Sequence, residues 1–221
     1  SENTVVDHLP GIVRSRNSIA KVYLAVGRID AAETELNQAL EIVQGIDAPQ
    51  ELAKTHTLLG ELAMRKGDNR DGLAELNAAR EILLEAELEV DSVLLHNLGT
   101  VQARLGDYTE AERFLQQALE KNRADNSWAK TAGNYYMLSS IASRREDFDR
   151  ALGLMEQALS YDKRAENSIG IAADLVGVGR IHERRNKPAE AYPYYLRALR
   201  IYVGLNLVEP TAETLATLER V

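Results

Sequence analysis

The chain has 221 residues, 45% hydrophobic and 27% charged, with a net charge of −8, a composition that belongs to folded chains and excludes intrinsic disorder. It holds no cysteine, which excludes disulfide frameworks, thiolate zinc sites and cysteine nucleophiles together. No apolar run approaches the roughly 18 residues of a membrane span, and the opening "SENTVVDHLP" has neither a basic n-region nor an apolar h-region.

Residues 1–10 carry no periodic signal and read as a lead-in. From residue 11 to 208 the chain reads as five helix–turn–helix units, at about 12–48, 49–88, 89–127, 128–167 and 168–208. Their turns align as "VGRIDAAETELNQAL", "KGDNRDGLAELNAAR", "LGDYTEAERFLQQAL", "REDFDRALGLMEQAL" and "RNKPAEAYPYYLRAL". With Gly27, Gly67, Gly106, Glu146 and Asn186 as markers, the periods are 40, 39, 40 and 40. The last segment, 209–221, places Leu215 and Leu218 where a sixth first helix would pack and reads as a capping helix or a chain boundary.

Small residues recur five and twelve positions after each marker, at Ala32, Gly72, Ala111, Ala151 and Ala191, then at Ala39, Ala79, Ala118, Ala158 and Ala198. Between them stands a large one: Leu36, Leu76, Leu115, Met155 or Tyr195. Seven positions before the marker another small residue recurs, Ala20, Gly60, Gly99, Ser139 or Gly179. These spacings predict a helix A and a helix B in each unit, joined by a short turn. Glycine inside a helix costs about 1 kcal/mol relative to alanine, so Gly60, Gly99 and Gly179 point to a close approach of A and B. Gly27, Gly67, Gly106 and Asn186 suit a left-handed helix end, Asp68, Asp107 and Asp147 suit N-caps, and Pro188 suits a helix start. Glu146 breaks the pattern, and the fourth turn is expected to be built differently.

The small–large–small pattern and the Gly-Asp-Tyr turn, most complete at Gly99, Gly106, Asp107, Tyr108, Ala111 and Ala118, resemble the tetratricopeptide repeat (TPR) family over about residues 12–203. The units are longer than that family's commonest repeat of 34 residues. They are similar to the ~40-residue form of kinesin light chains, spindle-orientation adaptors and many bacterial regulators and lipoproteins. The resemblance implies a right-handed α-solenoid of five TPR-like helix pairs plus a C-terminal capping helix, one continuous array, with partners lying in a concave groove lined by the A helices.

Numbering each unit so that its marker is position 15, a projection at 100° per residue puts positions 4, 7, 8 and 11 on the core side and 2, 5, 9, 12 and 13 opposite. Position 13 reads Ala25, Arg65, Arg104, Arg144 and Arg184. Arg14, Lys21, Lys54 and Arg180 add charge, with Asn17, Thr57, His96, Tyr136 and Ser140 as neutral neighbours and Asn97 and Met137 at the edge. The A helices hold 12 basic and 3 acidic residues, a net of +9 in a chain of −8. Two readings stay open. Cations near a helix C-terminus complement its dipole; alternatively they form a ladder for an acidic extended segment, through arginine forks that take carboxylates in bidentate fashion. The carboxylate clamp of some family members uses Lys and Asn at other positions, so that specificity is not transferred.

Tyr136 and His96 share position 5 and suit either ligand stacking or packing on a neighbouring A helix. Trp128, the sole tryptophan, is expected to cover the end of the preceding pair. Tyr195 falls in the core, whereas Tyr192 and Tyr194 suit a further repeat or a second copy. The four histidines sit at unrelated positions with no metal-ligand spacing, "GVGRIH" lacks the third glycine and the strand of a dinucleotide fingerprint, and no nucleophile elbow or phosphate loop occurs. No catalytic residue, metal or cofactor is expected, and the acidic balance argues against nucleic acid.

The sequence therefore predicts a non-catalytic scaffold or adaptor that binds a peptide or protein segment, acidic and extended, on Arg65, Arg104, Arg144, Arg184, Arg180, Lys21, Lys54, His96, Asn97 and Tyr136. Alternatives are a ligand-sensing region of a larger regulator or enzyme, and self-assembly through the aromatic C-terminal pair. The chain is expected to be soluble. A leaderless start favours the cytoplasm, while Ser1 is compatible with a removed signal or lipid anchor and hence with the periplasm.

Overall fold

The computed structural model describes residues 8–221, so residues 1–7 of the expected lead-in lie outside the described residues. Among the described residues there are helices and no strands: α1 (Leu9–Ala25), α2 (Ile29–Val43), α3 (Pro49–Lys66), α4 (Asn69–Glu85), α5 (Ser92–Leu105), α6 (Tyr108–Ala124), α7 (Trp128–Arg144), α8 (Phe148–Arg164), α9 (Ser168–Arg184), α10 (Pro188–Gly204) and α11 (Val208–Arg220). Odd-numbered helices to α9 are the A helices, even-numbered ones the B helices, and α11 follows the last pair. The all-α class and the repeating pair are as the sequence predicts.

The chain divides into two compact units, the first reaching Phe114 and the second spanning Leu115–Val221, with the division inside α6. In the first, α1 packs on α2 and α3 on α4, while α3 also touches α1 and α2, and α5 touches α3 and α4. In the second, α7 packs on α8 and α9 on α10, α9 also touches α7 and α8, and α11 packs on α10.

The extra length of the repeats lies in the helices. From α7 to α10 each helix has 17 residues, and the links between them are short. Each A helix ends in a residue of positive φ at the marker: Gly27, Gly67 and Gly106, then Glu146 at 63° and Asn186 at 58°. The bonds are those of a Schellman turn: the marker N–H reaches back three residues and the next N–H five, as in Gly67 to Met64 and Asp68 to Ala63. Glu146 to Ser143 and Asp147 to Ala142 repeat this geometry, so the fourth turn is built like the others. The expectation of a different turn is corrected: the two backbone bonds are the same, and glutamate bears the left-handed strain that glycine avoids.

From α4 onward the B helices close in the same way. Glu87, Asn126, Glu166 and Asn206 all have positive φ and the same pair of bonds. Asp107 and Asp147 act as N-caps, their side chains accepting from Glu110 N and Arg150 N; Asp68 holds the N-cap place of α4 but makes no cap bond.

The small residues do bring A and B together, but chiefly by seating the large residue of B. A Cβ on Gly60 would lie 2.6 Å from Leu76 Cγ and 3.1 Å from the Gly72 carbonyl oxygen, and one on Gly179 would lie 2.7 Å from the ring of Tyr195. Where Ser139 takes this place, its hydroxyl donates to the Ala151 carbonyl of the facing helix at 2.7 Å. Neighbouring hairpins join through the same core: Leu58 and Leu62 of α3 pack with Ala20, Leu24, Ala32 and Leu36, and Val178 and Ile181 of α9 pack with Ala142, Ala151, Met155 and Ala158.

Candidate functional site

An A helix lies beside the next A helix, and this decides which projected positions stay open. Asn17 at position 5 exchanges hydrogen bonds with Thr55 at position 3 of the next unit, 3.0 and 3.2 Å long, with both side chains buried. Position 12, read as groove, is buried at Leu24, Met64, Ala103 and Ser143. A projection of one isolated helix cannot register the cover that a neighbouring helix supplies. Exposed side chains on this face come from positions 9 and 13, including Lys21, Arg180, Arg65, Arg104, Arg144 and Arg184, and from position 2 at Arg14, which pairs with Glu51. Lys54, His96 and Tyr136 are half-buried, and Asn97 is buried.

Three of the four ladder arginines are occupied within the protein. Arg104 Nη1 donates to the Met64 carbonyl at 2.8 Å, in the last turn of the preceding A helix, where the dipole is negative. Arg184 Nη1 donates to Ser143 Oγ at 3.3 Å and lies near the ring of Phe148. Arg65 pairs with Glu61 one turn back, at 3.0 Å. Among the described residues Lys21, Lys54, Arg144 and Arg180 make no ion pair.

Each unit carries a pocket on its A-helix face. In the first, a cavity of ≈ 440 Å³ is lined by Gln50, Ala53, Lys54, Thr57, Leu83, Leu88, Glu89 and Asp91. The Asp91 carboxylate is committed to capping α5, accepting from Val93 N at 2.8 Å and Leu94 N at 2.9 Å. In the second unit a cavity of ≈ 130 Å³ lies among Tyr136, Val176, Arg180, Tyr195, Tyr202 and Glu213. Burial, and then the Glu183 carboxylate to which its hydroxyl donates, hold the Tyr195 phenol well above its usual range. Burial likewise raises Tyr202, with Tyr136 adding to it and Arg180 opposing it.

Beside the Tyr202 floor sits a buried acidic pair that no motif announces. Asp174, at position 3 of α9, is 2% exposed and its Oδ2 has no hydrogen-bond partner. Burial, with the nearby charge of Asp162, pushes its pKa up to about 8. Asp162 is buried too and raised by that burial, although Asn167 Nδ2 donates to it at 2.9 Å. Among the described residues no group of three His, Cys, Asp or Glu could hold a metal ion, and no helix is long and apolar enough to cross a membrane.

The aromatic residues sort differently from the sequence reading. Trp128 stacks on Tyr161 of its own hairpin, centroids 5.9 Å apart, under the Arg164 guanidinium. Tyr195 is in the core as expected. Tyr194 stacks on His182, while Tyr192 stays exposed.

Tetratricopeptide repeat models match residues 13–42, 51–124 and 136–204. The chain belongs to the tetratricopeptide repeat family. Similar solved TPR-fold structures include BtubC from P. vanneervenii, at TM-score 0.73 and 22% identity, covering 90% of this chain and 83% of that one. NprR in complex with its cognate peptide NprX has TM-score 0.73 and 20% identity; the match covers 95% of this chain, which spans 62% of NprR. The apo form of NprR, from B. thuringiensis, gives TM-score 0.74 and 19% identity, over 93% of this chain and 58% of that one. Rap protein complexed with Competence and Sporulation Factor matches at TM-score 0.68 and 13% identity, over 95% of this chain and 70% of that chain. Identities this low establish the shared TPR fold alone. No curated protein sequence matches the chain.

Proposed function

We propose that this TPR protein is a non-catalytic scaffold that binds an extended peptide segment on the exposed face of its A helices. The observation that carries the reading is that each unit has a pocket on that face with an unpaired cation at its rim, Lys54 in one and Arg180 in the other. The second pocket fits a single side chain: a cavity of about 150 Å³ holds one benzene ring, and this pocket has ≈ 130 Å³, whereas the first, at ≈ 440 Å³, has room for more than one side chain. An unpaired cation beside a partly dry floor gains most from a carboxylate, which it takes by charge-assisted hydrogen bonds. The preferred segment therefore carries acidic side chains next to apolar ones. Because Arg65, Arg104 and Arg184 already have partners, specificity rests in the first unit on Lys54, with Lys21 extending its field, and in the second on Arg180, with Arg144 extending its field. The NprR structure, solved with its cognate peptide NprX, supports a peptide-binding use of this fold.

A second reading, a peptide-sensing region of a larger regulator, draws on the same NprR match and uses the same surface. Panning a random peptide library on the wild-type chain, against the Lys54→Glu/Arg180→Glu variant, tests the site. Enriched sequences should contain Asp or Glu beside an apolar residue, bind the wild type at least tenfold more tightly, and weaken with salt. Peptides that bind both proteins equally, or enrichment of basic sequences, would overturn the assignment.

A further inference from the structure

The second unit's pocket holds two opposite charges that do not close on each other. Arg180 of α9 and Glu213 of α11 line one cavity of ≈ 130 Å³, both are exposed at its rim, and among the described residues neither makes an ion pair. Beneath them the floor is aromatic: Tyr195 and Tyr202 are buried, while Tyr136 and Val176 form half-buried walls. The first unit's pocket occupies the matching place in its hairpin, with Leu83 where Tyr202 stands and Thr57 where Val176 stands, and no aromatic residue lines it. The tyrosines thus belong to the second site and not to the repeat in general. Other polar groups there are committed. The Tyr195 hydroxyl donates to Glu183, which also pairs with Arg220 at 3.6 Å, and burial raises both buried phenols, so they stay neutral. The charged lining is one cation against one anion.

We infer that this pocket binds a free aromatic amino acid, with the ring on the tyrosine floor, the carboxylate on Arg180 and the ammonium on Glu213. A cavity of about 150 Å³ holds one benzene ring, so a phenyl or phenol side chain fills this one and an indole exceeds it. Aromatic rings pack on one another offset or edge-to-face, and a guanidinium takes a carboxylate by charge-assisted hydrogen bonds. A ligand with a carboxylate alone would set like charge before Glu213, and one with an amine alone would set like charge before Arg180; such juxtapositions select against both. An internal residue of a peptide carries neither charge on its Cα, and a terminal residue carries one. The inference rests on reading the second pocket as a carboxylate site and goes beyond that reading in the class of ligand.

Titration calorimetry of the full chain with L-phenylalanine tests it, beside 3-phenylpropionate, which lacks the ammonium, phenethylamine, which lacks the carboxylate, and tryptophan. Phenylalanine should bind one to one, and each of the other three about tenfold or more weakly, the factor that one hydrogen bond to a charged group supplies. Glu213→Gln should bring phenylalanine and 3-phenylpropionate to equal affinity, and Arg180→Gln should do the same for phenylalanine and phenethylamine, with circular dichroism confirming that both variants fold. No saturable heat with phenylalanine up to about 10 mM overturns the inference, as does a preference among the ligands that neither variant alters. Peptides selected on the wild type that bind where phenylalanine does not would remove this inference and leave the peptide reading standing; phenylalanine binding with no selectable peptide would do the reverse.

Discussion

Replacing Asp174 by asparagine should remove much of the pH dependence of this protein's stability. Between the ordinary carboxylate pKa, 3.8, and the buried value of about 8, the folded chain keeps a proton on Asp174 that the unfolded chain releases. Stability linked to this group is therefore complete at low pH and lost as pH rises through about 8. From pH 6 to pH 8 the loss is about 2 kcal/mol, taking 1.36 kcal/mol for each pKa unit. With a urea slope of about 2 kcal/mol/M, the midpoint falls by about 1 M. Asparagine suits the site: Asn134 holds the equivalent place in α7 and is fully buried. Trp128, stacked on Tyr161 next to Asp162, reports this unit. Urea titrations read by tryptophan fluorescence at pH 6, 7 and 8 should show a falling midpoint for the wild type and a nearly level one for Asp174→Asn, with the variant more stable at pH 8. Equal slopes in the two proteins would refute the argument.

Further substitutions probe the packing. Gly179→Ala should destabilise by about 1–3 kcal/mol of overpacking against Tyr195, less about 1 kcal/mol regained in helix propensity, whereas Gly153→Ala, with nothing within 4 Å of the new Cβ, should stabilise by about 1 kcal/mol. Thermal unfolding of the pair separates the two effects, and a stabilised Gly179→Ala would contradict the close approach. Glu146→Gly should raise stability by up to about 1 kcal/mol, the left-handed penalty relieved minus the extra freedom glycine has when unfolded; a loss would mean that the glutamate side chain contributes more than its strain. Arg104→Ala should lower stability by about 1 kcal/mol, one lost hydrogen bond, and leave affinity for panned peptides unchanged if Lys54 and Arg180 hold them.

The helix pairs were legible because the signal repeats. One Gly60 or Ala79 means little, but a small residue at the same offset in each unit has a steric cause that each copy states again. The turns were legible at Gly67 and Asn186 and not at Glu146, Glu87 or Glu166, since glutamate carries no local preference for positive φ and adopts it here under the hydrogen bonds of the turn. The site was read less well. Projecting one helix placed Met64 and Ser143 on the open face, where cover depends on a neighbour. Asp174 escaped notice for the reverse reason: a charged residue at position 3 reads as surface until the adjacent helices are in place. The arginines were visible as letters, but their partners, a Met64 carbonyl and a Ser143 hydroxyl about forty residues away, come from packing.

From Gly67 onward a left-handed residue closes each helix, at 87, 106, 126, 146, 166, 186 and 206, almost every twenty residues, while the side-chain pattern returns every forty. Backbone and side chains thus count in different units. A duplication of one helix would leave each turn intact and still fail, because it would present the side chains of an A helix where a B helix belongs, with glycine facing glycine and leucine facing leucine. Genes of this kind can lengthen or shorten only in whole pairs, and the inheritable module is set by the side chains rather than by the fold of the main chain.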